Sequence, residues 1–486
     1  MHHQDPIISP PSSSTSATQD EYFAQRQLKQ GAVGWLLLVG LGVAYVISGD
    51  FAGWNFGIAQ GGWGGMFIAT VVVAIMYLCL CLSMSEMSTM LPTAGGGYSF
   101  ARTAFGPFGG YLTGTAILIE YSIAPAAIAI FIGAYCESLF GIGGWMIYLI
   151  CYLVFMGIHL KGAGEALKLM FIITAIAAVA LIVFIIALFP HFNSQNLFDI
   201  PAGNHIGASS FLPLGYLGIW AAVPYAIWFF LAVEGVPLAA EEAKDPAKSL
   251  PRGLIGSMLI LTAFALLILF LGAGAAGAST LQNSGAPLVD ALIKVYGKGT
   301  WLATFVNFVG LAGLIASFFS IIYAYSRQIF ALSRAGYLPT SLSLTNKNKA
   351  PYWAIIIPGI IGFLLSLTRE GDLLILIAVF GATISYVLMM LSHIKLRLSR
   401  PDLARPYRTP GGILTASIAL ILAILAVVAG FLVNPKVWFI ALGIYVVFIA
   451  YFIFYSRHHL IQGTPEEEFA NIQSPVLPSS GDKHGL

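Results

Sequence analysis

The sequence predicts an all-α integral membrane protein of about twelve transmembrane helices, and three observations carry that expectation. The chain is 58% hydrophobic and only 9% charged, with a mean hydropathy of +0.85, whereas a soluble domain carries about a quarter charged residues. Its apolar runs repeat at the length of roughly 20 residues that a bilayer crossing requires. The basic residues are also unevenly divided. Of the 23 lysines and arginines, Lys294, Lys298, Arg369 and Lys436 fall in loops on one side and the other 19 on the opposite side. Lysine and arginine collect in cytoplasmic loops, and an odd number of spans would scramble the division. Both termini are therefore expected in the cytosol, with the protein multi-pass in the cell membrane.

Taken in order, residues 1–27 are polar, lack the apolar core of a signal peptide and read as a disordered cytosolic tail. Ten spans follow, at 34–59, 64–90, 108–138, 144–160, 166–189, 214–238, 253–278, 300–332, 353–367 and 373–396, within a transport core assigned to 28–398. Residues 399–457 hold two more, at 411–433 and 436–456, and 458–486 reads as a second disordered tail. The net charge of +2 is too small to argue for nucleic acid. The four cysteines have neither a metal spacing nor a disulfide framework and read as reduced core residues. No metal or other cofactor is implied, and no Ser-His-Asp set is suggested at membrane depth, so the chain does not read as an enzyme.

Two spans differ from the rest. The first, in "YVISGDFAGWNFG", is broken around Ser48–Gly53 and holds Asp50; the sixth, "YAIWFFLAVEGVPLAAEE", is broken around Val233–Pro237 and holds Glu234. Backbone groups freed inside a membrane must be satisfied by a ligand, an ion or neighbouring protein, so each break marks a cavity. Spans one and six correspond if one to five and six to ten are inverted repeats, and paired broken helices point to a transporter's binding site. An ionised group at that depth costs at least a few kcal/mol and usually faces a pathway. A kink made for packing is the bland reading of one break; two breaks that each carry a carboxylate speak against it.

Three motifs carry a family resemblance. "SEMSTMLPTAGGGYSFARTAFGPFGGYLTG" (Ser85–Gly114), "VEGVPLAAEEAKDPAKSLPRG" (Val233–Gly253) and "YAYSRQIFALSRAGYLP" (Tyr323–Pro339) resemble the signatures of the amino acid–polyamine–organocation permeases, in order and spacing. The resemblance implies a five-plus-five inverted-repeat transporter with its site between helices one, three, six, eight and ten. It carries the substrate break onto Ile47, Ser48, Gly49 and Asp50, the helix-three contacts onto Tyr121 and Ser122, and the aromatic gate onto Trp228 with Phe230 beside it. The glycine run in the first motif lacks the lysine of a phosphate-binding loop. The run "EEAKDPAKSLPRG" reads as a solvated, ion-pairing loop.

Within that family, Ser48 and Gly49 fit the break whose free amides hold an amino acid's carboxylate, but Asp50 sets a negative charge beside it. The expected substrate is instead a small amine, and "GDFAGWNFG" followed by "GGWGGM" looks most like the ethanolamine permeases. The alternatives are a proton-coupled amino acid permease or an amino acid/amine exchanger. Where some relatives carry a lysine in helix five, "FIITAIAAVALIV" has Ala177, so coupling falls to protonatable Glu120 and Glu234. Sodium at Ser317 and Ser320 is the lesser reading, since membrane serines mostly bond neighbouring backbone.

Overall fold

The computed structural model describes Leu28, Gly31 and residues 33–461. The polar tail assigned to 1–27 and nearly all of that assigned to 458–486 lie outside the described residues. Among the described residues nine helices are long and apolar enough to cross a membrane, and three shorter apolar helices complete the twelve spans. The chain runs through α1 (Trp35–Val46), α2 (Ser48–Phe51), α3 (Asn55–Met90), α4 (Gly97–Phe140), α5 (Trp145–Leu160), α6 (Ala163–Leu188) and α7 (Gly215–Trp228). After a 3-10 segment, Val233–Glu242, come α8 (Pro246–Ala276), the short connectors α9 (Ala278–Leu281) and α10 (Pro287–Tyr296), α11 (Trp301–Arg334), α12 (Tyr352–Ser366), α13 (Gly371–Ser399), α14 (Ile413–Val433) and α15 (Pro435–Phe454).

Most of these helices are apolar all round, as a helix immersed in lipid or protein must be. The inverted repeat is visible in where the exceptions fall. Interruptions occur in spans one and six, and two long helices, α4 with 44 residues and α11 with 34, hold places three and eight. These two pack on each other and α4 packs along α13, enclosing the broken spans.

Both breaks lie a few residues from where glycine and proline suggested. Ser48–Phe51 is a helical turn, and the first span opens only at Ala52–Trp54, with Ala52 fully extended at φ −160°. The sixth opens at Phe229–Ala232, where Ala232 takes φ +78°, and the expected unwound stretch Val233–Pro237 is instead 3-10 helix. Pro237 lies inside that segment, fifth of its ten residues, and supplies no N–H to its ladder.

Span one connects to span two through a sharp corner inside α3. Gly62 has φ +68° and ψ 177°, and a Cβ there would run into the Pro213 ring. That conformation is open essentially to glycine alone. At the other end of α3, Glu86 is buried and accepts from Arg397 Nε (2.9 Å), Arg405 Nε (3.2 Å) and the Thr409 amide (2.7 Å). One carboxylate thus ties span two to span ten and to the basic loop that leads into α14.

Gly62→Ala is expected to destabilise the protein by about 1–3 kcal/mol, the cost of forcing a Cβ into that region. Thermal unfolding of the purified protein in detergent measures it; an unchanged midpoint would mean the corner relaxes freely.

Candidate functional site

The first break is held by side chains from other helices. Tyr135 donates to the Phe51 carbonyl at 2.9 Å, Trp228 Nε1 to the Ala52 carbonyl at 3.0 Å, and the Gly53 amide to Asn55 Oδ1 at 3.2 Å. Asn55 Nδ2 in turn donates to the Leu281 and Ser284 carbonyls, both at 2.8 Å, fastening the end of α9 and the loop that follows it. On the other side of the break, Ser317 donates to the Tyr45 carbonyl at 2.7 Å and meets the Ser48 hydroxyl at 2.8 Å. Gly49 allows the two broken spans to touch, since a Cβ on it would strike the Trp228 carbonyl.

Asp50 sits within this scaffold fully buried. Neither carboxylate oxygen has a hydrogen-bond partner, and no ion pair among the described residues includes it. A buried carboxylate without a partner is costly. The surrounding faces are aromatic: Trp54 stacks on Phe229 at 5.6 Å, and Trp228 meets Phe131 edge-on at 6.4 Å.

A second polar group is distinct from it. Tyr121 donates to Glu234 Oε1 at 3.3 Å, Tyr386 also reaches Glu234, and the Tyr386 and Tyr77 hydroxyls are 2.7 Å apart. Glu120 lies near Glu234, and neither of its buried carboxylate oxygens has a hydrogen-bond partner. Two such groups in a dry site cannot both be ionised cheaply. Phe230 packs on Tyr77 at 5.4 Å and belongs here as well.

The sequence-predicted residues thus divide. Ile47 accepts from the Asp50 amide at 3.1 Å and stays in the first-span turn with Ser48, Gly49 and Asp50. Trp228 joins them, whereas Tyr121, Phe230, Glu120 and Glu234 gather around the sixth span. Ser122 is half-buried, about 100° round the helix from Tyr121, and makes no hydrogen bond among the described residues. Ser317 lies at the break, but Ser320 turns back to the Ala316 carbonyl of its own helix at 2.6 Å. Ala177 packs at Gly313 beside Phe51, so an aromatic ring borders the space where relatives carry a lysine.

The profile of the amino acid permease family matches residues 33–454. The chain belongs to the amino acid permease family. Curated relatives agree. An uncharacterized transporter of Rhizobium meliloti is 28% identical over 81% of this chain and 85% of its own. The branched-chain amino acid permease BcaP of Bacillus subtilis is 27% identical over 91% and 96%. A methylthioribose transporter of the same species is 23% identical over 77% and 81%. This permease is therefore a transporter and not an enzyme.

Sequence reasoning missed the bolt on the basic face. The run "EEAKDP" was expected to be solvated, yet Glu242 is buried and Glu241 largely so. Arg327 donates to Glu242 at 3.1 Å, both side chains being 2% exposed, and Tyr323 donates to the same carboxylate. Arg334 donates to Glu241 at 2.6 Å, and the Ala94 amide of the glycine loop donates to it at 2.9 Å. The Val33 amide donates to the Glu242 carbonyl and the Lys244 amide to the Val33 carbonyl, at 2.9 and 2.7 Å. The end of the sixth span is thereby locked to span eight, to the start of span one and to the loop after span two. The signal was present in the second and third family motifs, whose acids and arginines are partners 85 and 93 residues apart.

Removing one partner of a buried ion pair strands the other, at about 3–5 kcal/mol. Glu242→Gln should therefore favour opening at the basic face. Cys81, buried near Glu234, is a native reporter: its alkylation, followed by peptide mass spectrometry, is expected to quicken by at least about tenfold, which needs only 1.4 kcal/mol. A rate equal to wild type would show that these pairs do not hold that face shut.

Proposed function

We propose that this permease imports a small primary amine, ethanolamine, across the cell membrane by alternating access, with both termini in the cytosol. The observation that carries the reading is the buried Asp50 carboxylate, which stands beside the break with neither oxygen bonded. An ammonium supplies the missing cation, and the Ser48 hydroxyl and the Ala52–Trp54 backbone lie nearby for the substrate hydroxyl. Trp228, bonded to the Ala52 carbonyl, is the aromatic lid and offers its face to a cation. A zwitterion would bring its own carboxylate to the same turn. Two like charges about 4 Å apart repel by about 4 kcal/mol at the effective dielectric of a protein site.

The second reading is a proton-coupled amino acid permease or an amino acid/amine exchanger. The name of the Bacillus subtilis branched-chain permease favours it, while the name of the methylthioribose relative speaks for wider substrates among similar chains. In either case the Glu120–Glu234 pair, separate from Asp50, is the proposed carrier of a coupling proton. Rocking of the sixth span alters its exposure and so links the proton to the substrate.

Charge-assisted hydrogen bonds contribute about 1.5–3 kcal/mol. Asp50→Asn is therefore expected to weaken ethanolamine binding by about ten- to a hundredfold, measured by calorimetry on purified protein with leucine and alanine as competitors. Wild-type affinity for ethanolamine in that variant, or tight leucine binding by the wild type, would sink the amine reading.

In proteoliposomes, wild-type uptake should fall as the outer pH rises, because fewer protons are available to accompany substrate. Glu120→Gln should flatten that dependence and leave equilibrium binding within a fewfold of wild type. Retention of the full pH dependence would assign the proton elsewhere.

A further inference from the structure

On the basic face, a cavity of about 730 Å³ opens outward between the start of α1 and α8. Its α8 wall is ordered along a single stripe. Lys248 and Arg252 are one turn apart in the first two turns, and Ile255 and Leu259 continue the stripe deeper. Residues at these intervals share a face. The α1 wall is Trp35, Leu36 and Val39, and Pro406 and Tyr407 of the basic loop close the rim. Trp35, Leu36 and Leu259 are about half exposed, at 48, 52 and 56%, and face the lipid belt.

We infer that this groove binds one anionic phospholipid, its phosphate at Lys248 and Arg252 and an acyl chain along Val39, Ile255 and Leu259. The argument is charge complementarity joined to amphiphilic order: cations at the helix start, apolar residues one and two turns further in, and an interfacial tryptophan opposite. The N-terminal end of a 31-residue helix adds its positive dipole to the two cations. Lys248 is 72% exposed, and the carboxylate beside it, Asp245 at 3.5 Å, is 54% exposed; such a surface pair is weak and yields readily to a phosphate. Arg252 is exposed and has no ion-pair partner among the described residues. Basic pockets between membrane helices on the cytoplasmic side are suited to acidic headgroups. Because the groove joins α1 to α8 one turn from the Val33–Lys244 pairing, a lipid seated there braces the closed basic face.

The test uses full-length protein in mild detergent, with bound lipid counted by native mass spectrometry during titration with dioleoylphosphatidylglycerol, dioleoylphosphatidylcholine or glycerol 3-phosphate. Each surface cation is worth roughly fivefold toward an anionic headgroup. The expected result is preferential retention of phosphatidylglycerol, weakened about twenty-five-fold in the Lys248→Gln, Arg252→Gln double variant and unchanged in Lys294→Gln. Equal retention of phosphatidylcholine, or of phosphatidylglycerol by the double variant, would overturn the inference. Displacement of phosphatidylglycerol by equimolar glycerol 3-phosphate would overturn it too, by marking a site for soluble anions.

Discussion

The Trp228 indole on the Ala52 carbonyl expresses the constraint on which the rest of the architecture depends. Inside a bilayer no water is available to an unpaired amide or carbonyl, so a helix can open only where other helices supply partners. Span three supplies Tyr135, span six Trp228 and span eight Ser317. Each bond that makes the first break tolerable also ties it to another span. The break is thus a place where three spans register each other's position.

The same logic sorts the buried carboxylates into two populations. Glu86, Glu241 and Glu242, at the basic ends of spans two and six, each have arginine partners. Asp50, Glu120 and Glu234 lie deeper and have none among the described residues. Buried ion pairs return little net stability but are expensive to break singly, which suits a bolt whose members must part together. An unpaired carboxyl at depth costs stability in the resting protein, and that cost is recovered only when a cation or a proton arrives.

How much of this was legible in sequence follows from the range of each interaction. The number and order of the spans rest on runs of about 20 apolar residues and on loop charges, both local, and they stand in the structure. The breaks were legible as existing but were displaced by a few residues. Gly49, Gly53 and Pro237 mark where a helix is free to end, whereas Tyr135 and Trp228 decide where its carbonyls are answered. Asp50 was legible because an anion in an apolar run has few innocent explanations. The run from Glu241 to Arg252 was misjudged at its start, since its acids are neutralised by Arg327 and Arg334 from a distant helix. Ser122 lies off the Tyr121 face for a simpler reason: adjacent residues on a helix face directions about 100° apart.

Separating Asp50 from the Glu120–Glu234 pair has a mechanistic consequence. If one carboxyl served both substrate and proton, each would compete with the other and coupling would reduce to exchange. Here Asp50 and Glu234 sit on different broken spans that meet at Gly49 and the Trp228 carbonyl, and Glu120 comes from span three. The turn Ser48–Phe51, which carries Asp50, packs through Gly49 directly on the start of the sixth-span break. The 3-10 segment beyond it carries Glu234 at one end and Glu242 at the other. Ten residues therefore lead from Glu234, bonded by Tyr121, to the buried ion pair of Glu242 with Arg327. A 3-10 helix rises about 2.0 Å per residue against 1.5 Å in an α-helix, so this segment holds its two carboxylates further apart than an α-helix of the same ten residues would.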